Sequence, residues 1–494
     1  MPLEPDVSPA PAPTQIDTRF FGHPRGLSIL FFTEMWERFS FYGMRALLIY
    51  YMTDRGGGLA FPVTKAGLIY GLYASSVYLL SLPGGWVADR LVGARRAVFY
   101  GGILIAAGEF CLAATGIASF YTGLLLIVLG TGLLKPNVST IVGMLYGPGD
   151  HRRDAGFSIF YMGINLGAFL SPLVCGWLGQ KINWHLGFAA AGVAMALGVV
   201  QYVLWGHYLG DAGRHPTHPV RSRGGIAWII LACVVIVGLA VAAVQIWRVE
   251  FTAEFISNAF GVALLAIAVG MFAWMILGPG WSPLERKRSL AIMVLFAGSC
   301  VFWMAYEQAG STLSLFAIRN TRDVLLGFHF PASWFQSLPA IFVILLAPVF
   351  AWLWIALGKH EPSSPVKFAV ALVFVGLGFL ILVPAAMMAG DTGKVSPLWL
   401  TITYLLHTIG ELMLSPVGLS AMTKLAPIRA VSLIMGLWFL SLSIGDYLSG
   451  RAASLYTSLP VPTLFGAVAG FAFAAAVVMF VLVKPTVRLM SGVK

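Results

Sequence analysis

The sequence predicts an all-α polytopic membrane protein with fourteen transmembrane helices, and three observations carry that reading. The 494 residues are 59% hydrophobic and only 10% charged, with a mean hydropathy of +0.85, whereas soluble domains are about 25% charged. Apolar stretches long enough to cross a bilayer, about 20 residues each, recur along the whole chain and end at Gly, Pro or charge clusters. The basic residues are sorted between alternate loops rather than spread evenly.

Residues 1–18 are polar and rich in proline (Pro2, Pro5, Pro9, Pro11, Pro13), which predicts a disordered tail over 1–20 without a cleavable signal peptide. Six spans follow, near 27–52, 65–88, 96–118, 120–146, 156–180 and 185–206, forming a first bundle over 21–206. Two more, near 225–247 and 255–278, lie in a connecting segment over 207–288. Neither carries an Asp, Glu, Lys or Arg at mid-span, so they read as a peripheral hairpin facing lipid. Six further spans, near 289–317, 332–357, 366–389, 397–422, 430–452 and 463–484, form a second bundle over 289–485, and 486–494 is a short tail.

An even number of spans places both termini on one side. The tails and alternate loops assigned to that side hold 20 of the 31 Lys and Arg residues, including Arg90, Arg95, Arg96, Arg152, Arg153, Arg286, Lys287 and Arg288. The other side holds 8, and Arg38, Arg45 and Lys135 remain inside helices. Positive charge is retained on the cytoplasmic side, so both termini are expected in the cytoplasm. The net charge of +11 is thus largely a topology signal, and a nucleic-acid partner is not expected. Cys111, Cys175, Cys233 and Cys300 each lie in an apolar stretch without metal-ligand spacing and read as small buried side chains. No metal site, cofactor, nucleophile–base pair or phosphate loop is legible, which argues against an enzyme.

The chemistry lies in the charges that remain inside the spans. Glu34, Glu37 and Arg38 interrupt the first apolar run. Their i,i+3 and i,i+4 spacing puts them on one helical face. Arg45, Glu109, Lys135, Glu307, Glu411 and Asp446 complete a set of six acids and three bases. Nine such charges facing lipid would cost about 20–30 kcal/mol at the 2.5–3.5 kcal/mol each that membrane insertion exacts, more than typical net stability. They are expected to share a cavity and pair there. The bases sit in the first bundle and Glu307 and Glu411 in the second. The cavity would then have a positive and a negative wall, suited to a zwitterion. The excess of acids is the profile of a proton-coupled machine.

Between the second and third spans, Gly84 to Arg96 includes Asp89-Arg90, Gly93 and Arg95-Arg96. This resembles the G-x-x-x-D-R-x-G-R-R loop of the major facilitator superfamily, in which Asp89 could cap a helix and pair with Arg. A fainter counterpart runs from Gly358-Lys359-His360 to Pro365-Val366-Lys367, as expected for parallel repeats.

Glu34-x-x-Glu37-Arg38-Phe39-x-Phe41-Tyr42-Gly43 resembles the E-x-x-E-R-F-x-Y-Y-G signature of proton-dependent oligopeptide transporters, the POT or PTR family. Phe160-Tyr161-Met162-Gly163-Ile164-Asn165-Leu166-Gly167-Ala168 resembles its second signature. Gly132 to Ser139, Trp303 to Gln308, Gly410 to Leu419 and Gly436 to Phe439 are similar to further family motifs. The resemblance implies a major facilitator fold of two six-helix bundles plus the hairpin. It also implies a monomeric symporter that imports di- and tripeptides with protons, the coupling ion, by alternating access. For the residues, it implies that Arg38 alternates between Glu307 and the peptide carboxylate, with Arg45 assisting, and that Lys135 pairs with Glu34 or Glu37 and helps hold that carboxylate. Glu411 would bind the peptide amino end, with Ser415 in the same motif, and Tyr42 and Asn165 would orient the backbone. Trp303, Trp438 and Tyr78 would line side-chain pockets.

Four positions depart from the pattern: Phe41 in place of Tyr, Pro339 in place of Asn, Asp446 in place of Asn, and the additional Glu109. They leave open a relative that carries another substrate, such as nitrate or a peptide-like drug.

Overall fold

The computed structural model describes residues 19–147, 150–219, 252–325, 327–390 and 393–493. Among them are thirteen helices of membrane-crossing length. The first bundle comprises α1 (Gly26–Thr53), α2 (Val63–Val92), α3 (Ala94–Ala113), α4 (Ile117–Met144), α5 (Arg153–Ile182) and α6 (Trp184–Leu209). Of the connecting segment, one helix lies among the described residues, α7 (Ala253–Leu277). The second bundle comprises α8 (Pro283–Asn320), α9 (Ala332–His360), α10 (Ser364–Ala389), α11 (Leu398–Leu425), α12 (Val431–Ser454) and α13 (Val461–Leu489). The span expected at 225–247 and Cys233 lie outside the described residues. Cys111, Cys175 and Cys300 carry free thiols.

Packing repeats between the halves. In the first bundle α1 lies against α5 and α6 while α3 lies against α4 and α6; in the second, α8 lies against α12 and α13 while α10 lies against α11 and α13. This is the internal repeat expected of the fold. The halves meet where α2 packs on α12 and α5 on α9. Helix α7 packs outside α2, α8 and α12 and turns Val262, Leu265, Val269, Trp274 and Leu277 outward, as a peripheral helix should.

Helix α8 begins earlier than the charges at 286–288 suggested. Ser282 Oγ accepts from the Glu285 amide at 3.3 Å, and the Ser282 amide donates to Glu285 Oε2 at 2.7 Å. With Pro283 in the first turn, this reciprocal cap starts the helix ahead of its basic residues. Arg429 donates to Glu285 at 2.8 Å, tying the start of α8 to the start of α12. Helix α13 runs past Lys484 and Arg488 to Leu489, so part of the expected tail is helical.

The Asp89 loop is closed differently from expectation. Asp89 Oδ1 accepts from the Thr217 hydroxyl at 3.0 Å, and no Arg pairs with it among the described residues. Arg95 is the clamp: it donates to the carbonyls of Gly206 and Gly210 at 2.7 Å each. Those groups lie at the C-terminal end of α6, where carbonyls lack helical partners and the dipole is negative.

The α2–α12 seam is built on glycine. A Cβ on Gly71 would lie 2.8 Å from the Gly450 Cα, and backbone cannot move aside cheaply. Small residues are what permit such approach. Gly71→Val should cost about 1–3 kcal/mol by overpacking and part the helices at this end. The spin-label distance between Thr64 and Thr457, both exposed, should lengthen; an unchanged distance would refute the role of the seam.

Candidate functional site

Seven of the nine buried charges fall into three groups, and Glu109 and Asp446 stand outside them. On α1, Arg38 Nη2 donates to Glu37 Oε1 at 2.6 Å, its Nε donates to Glu37 Oε2, and Nε lies 3.3 Å from Glu34 Oε1. Arg38 is 3% exposed and Glu37 fully buried. Because all three side chains belong to one helix face, the cluster forms without help from the second bundle. In this state the Arg38 guanidinium is bonded within α1, to Glu37, and not to Glu307.

The partner of Glu307 is Arg45, two helical turns further along α1. Arg45 Nη2 donates to Glu307 Oε2, and Arg45 Nε donates to the Tyr70 hydroxyl at 2.7 Å. This ion pair joins the two bundles. Its geometry depends on a break in α8: the helix stops at Tyr306, tightens through Glu307–Gly310 and resumes at Thr312. A Cβ on Gly310 would lie 1.8 Å from the Tyr70 hydroxyl and 2.9 Å from Arg45 Nε. Only glycine leaves room for both.

The third group comprises Lys135 on α4 in the first bundle and Glu411 on α11 in the second. Lys135 Nζ sits 3.8 Å from the centre of the Tyr78 ring. The expected ion pair with Glu34 or Glu37 is not formed among the described residues: Arg38 holds Glu37, and Glu34 Oε2 has no hydrogen-bond partner there. In the second bundle, Glu411 Oε2 accepts from the Tyr306 hydroxyl at 2.5 Å. Tyr42, Tyr78, Lys135, Glu411 and Ser415 are all half-buried. Each of the two charges lies near an in-helix proline, Pro136 in α4 and Pro416 in α11. A proline removes a backbone bond and bends the helix. Ser415 follows Glu411 by four residues and shares its face.

Other expected residues are less open. Asn165 donates to the carbonyl of Tyr161 on its own helix at 3.0 Å. Trp303 and Trp438 are buried, and the Trp438 ring edge lies over Gly418. Phe41 stacks on Tyr73 with ring centres 6.5 Å apart. Pro339 sits in the first turn of a helix, where a missing amide costs no helical bond. Glu109 is fully buried and accepts from the Ser40 hydroxyl at 3.3 Å. Tyr70 and Tyr306 escaped the sequence reading. Tyr306 had one signal, its place beside Glu307; Tyr70 had only its mid-span position.

Hydrogen bonds between described residues of the two bundles all lie from mid-span toward the face away from the described chain ends. Ser333 donates by amide and hydroxyl to Gln180 Oε1 at 3.0 and 2.9 Å. Trp334 donates to the Leu173 carbonyl at 3.1 Å, and Ser337 to that of Phe169 at 2.8 Å. The Ser75 and Ser443 hydroxyls are 2.7 Å apart. One face of the interface is latched, while the other carries no such bonds between described residues of the two bundles. Among the described residues, no cluster of three or more His, Cys, Asp or Glu could hold a metal. A latched bundle pair with charge in both bundles is a device for moving a solute, not for chemical conversion.

Comparison with known proteins agrees. The model of the POT family matches residues 95–470. The chain is 40% identical over 493 residues to peptide transporter YePEPT of Yersinia enterocolitica subsp. palearctica serotype O:3 (strain YE-P4), covering 96% of each. It is 37% identical to the di-/tripeptide transporter of Lactococcus lactis subsp. cremoris, covering 96% of this chain and 98% of the relative. It also superposes on a mutant peptide transporter POT solved with alafosfalin, with a TM-score of 0.90 and 44% identity, covering 96% of this chain and 97% of that one. With the family model spanning most of its length and these relatives matching nearly end to end, the chain belongs to the POT family of membrane transporters.

Proposed function

We propose that this protein is a proton-coupled symporter that imports di- and tripeptides by alternating access. The observation that carries the reading is the buried Arg45–Glu307 pair, which joins the two bundles, with Lys135 half-buried in the first and Glu411 half-buried in the second. A carboxyl that accepts a proton releases its guanidinium. Proton binding can thereby loosen the contact between bundles, while Lys135 and Glu411 hold the ends of a zwitterion. The relatives' assignments as peptide transporters support the substrate class.

In this scheme Lys135 holds the peptide carboxylate and Glu411 its ammonium group. Tyr42, Tyr78, Asn165 and Ser415 orient the backbone, and Trp303 and Trp438 shape the side-chain pockets. Glu34, Glu37 and Arg38 form a charge cluster on α1 that sets the potential around Lys135, and Arg45 and Glu307 form the gate. The protein acts as a monomer with protons as coupling ion, divided at 21–206, 207–288 and 289–485. The excess of Lys and Arg on the side bearing both termini supports a cytoplasmic location for both ends, in the inner membrane of a bacterium.

The test is uptake into liposomes: labelled dialanine should accumulate under an inward proton gradient and stop when the gradient is dissipated. Equal uptake with and without the gradient would overturn the coupling. A second reading, a peptide-like drug as substrate, is favoured by the related structure that holds alafosfalin. Competition of alafosfalin against dialanine distinguishes a shared site from a separate specificity.

A further inference from the structure

The face of the protein at which α1 begins carries a pocket that the transport scheme does not use. Its volume is about 520 Å³, and it is lined by Arg95, Arg96, His207, Gly210, Asp211 and Arg214. These residues come from the start of α3, the last turn of α6 and the segment that follows it. Three guanidiniums and an imidazole thus surround one carboxylate. Asp211 does not cancel the excess: its Oδ1 lies 3.5 Å from Arg214 with both side chains exposed, and pairs of that kind are weak. The pocket is held in shape by its own hydrogen bonds. Arg95 donates by side chain to the carbonyls of Gly206 and Gly210, and its amide donates to the Gly213 carbonyl at 2.8 Å. The Arg95 guanidinium and the loop that closes the pocket therefore fix each other, while Arg96 and Arg214 stand exposed.

A guanidinium presents its N–H donors as a planar fork that suits phosphate, whose oxygens can accept from more than one arginine at once. The surface beside the pocket decides what carries the phosphate. On α3, Tyr100, Ile103 and Phe110 follow Arg96 at helical spacing, and all three are exposed. On α6, Val193, Leu197, Val200 and Leu204 form a second exposed stripe that leads to His207. The two helices are packed together: a Cβ on Gly102 of α3 would lie 2.7 Å from Val199 Cγ2 of α6. Two apolar stripes on adjacent membrane helices thus run side by side to a basic pocket. Tyr100 follows Arg96 by four residues and Trp205 precedes His207 by two, both exposed. Such rings settle at the depth of lipid headgroups. Free phosphate would leave the stripes unused, whereas a phospholipid uses pocket and stripes together.

The geometry points to an anionic phospholipid site on the α3–α6 face. Arg95, Arg96 and Arg214 hold the phosphate, and the acyl chains lie along the two stripes. Basic pockets between membrane helices on the cytoplasmic side take anionic headgroups in this way. Arg95 and Arg96 belong to α3 and Arg214 to the segment leaving the first bundle. One phosphate drawn to all three therefore reinforces the clamp that Arg95 already makes between them.

The test uses full-length protein purified in a neutral detergent and offered an equimolar mixture of phosphatidylglycerol and phosphatidylcholine with identical chains. Retained lipid is counted by native mass spectrometry. The wild type should retain phosphatidylglycerol preferentially. Arg96→Gln and Arg214→Gln should each lower that preference roughly fivefold, the effect of one basic residue on attraction to an anionic lipid. Lys484→Gln combined with Arg488→Gln removes two exposed cations near the end of α13 and should leave the preference unchanged. Inorganic phosphate in large excess should not displace the lipid. If a pocket variant does not purify as a monodisperse protein, high salt makes the same test on the wild type, because it screens exposed charge and should erase the preference. Equal retention of the two lipids by the wild type overturns the assignment. So does an unchanged preference in the pocket variants or at high salt, or an equal loss in the α13 variant. Displacement by inorganic phosphate would mark a free-phosphate site and overturns it as well.

Discussion

Replacing Glu307 by glutamine should abolish proton-driven accumulation of dialanine while leaving exchange of peptide across the bilayer at least partly intact. Glu307 is 6% exposed and bonded to Arg45 across the bundle interface. Glutamine is nearly isosteric and cannot ionise, so it mimics the protonated carboxyl. Removing one partner of a buried ion pair generally costs about 3–5 kcal/mol. Here the loss falls on the state in which Arg45 and Glu307 are joined, because in the protonated state the pair is already broken. The bundles would still rock around a bound peptide, but no longer in step with a proton. The measurement is a comparison in one liposome preparation of accumulation under a gradient and counterflow without one. Robust accumulation by the Gln variant would remove Glu307 from the coupling step.

Replacing Glu411 by alanine should weaken dipeptide binding by roughly tenfold or more. A charge-assisted hydrogen bond from an ammonium to a carboxylate contributes about 1.5–3 kcal/mol, and each 1.4 kcal/mol is about a factor of ten in affinity. Glu411 is half-buried on α11, accepts from the Tyr306 hydroxyl and pairs with no cation among the described residues. That leaves it available for a ligand cation. An N-acetylated dipeptide lacks the ammonium, so it should bind the wild type poorly and lose little further in the variant. A purely structural role for Glu411 predicts something different: free and acetylated peptides weakened equally, together with a less stable protein. The cycle of free against acetylated peptide and wild type against Glu411→Ala measures the difference directly, and a coupling energy near zero would refute the contact.

The α1 charge cluster shows what local spacing can reveal. Glu34, Glu37 and Arg38 lie within five residues, so helical geometry alone brings them together, and the structure has them bonded. The Arg45–Glu307 pair shows the reverse. Its members are 262 residues apart in sequence, and no periodicity on either helix encodes which Arg reaches which Glu. Arg38 and Arg45 are seven residues apart, so they share a face and present equivalent candidates. The choice is made by Glu37, which binds Arg38 from the adjacent position, and by Gly310, which clears the space that Arg45 and Tyr70 fill.

The sequence by itself determined the solvent, the fold class and the identity of the buried charges. Those follow from hydropathy and from the cost of placing charge in lipid, both of which are properties of short segments. It also placed the three bases of the set before the connecting segment and Glu307 and Glu411 after it. Tertiary structure alone decided the pairing: which base meets which acid, where α8 breaks, and which face of the interface is latched. Ion pairs form between side chains within about 4 Å, and at that resolution the outcome depends on the approach of α2 to α12 and of α5 to α9. Those approaches are set by small residues such as Gly71 and Gly450 on opposite bundles, whose contact no single segment specifies.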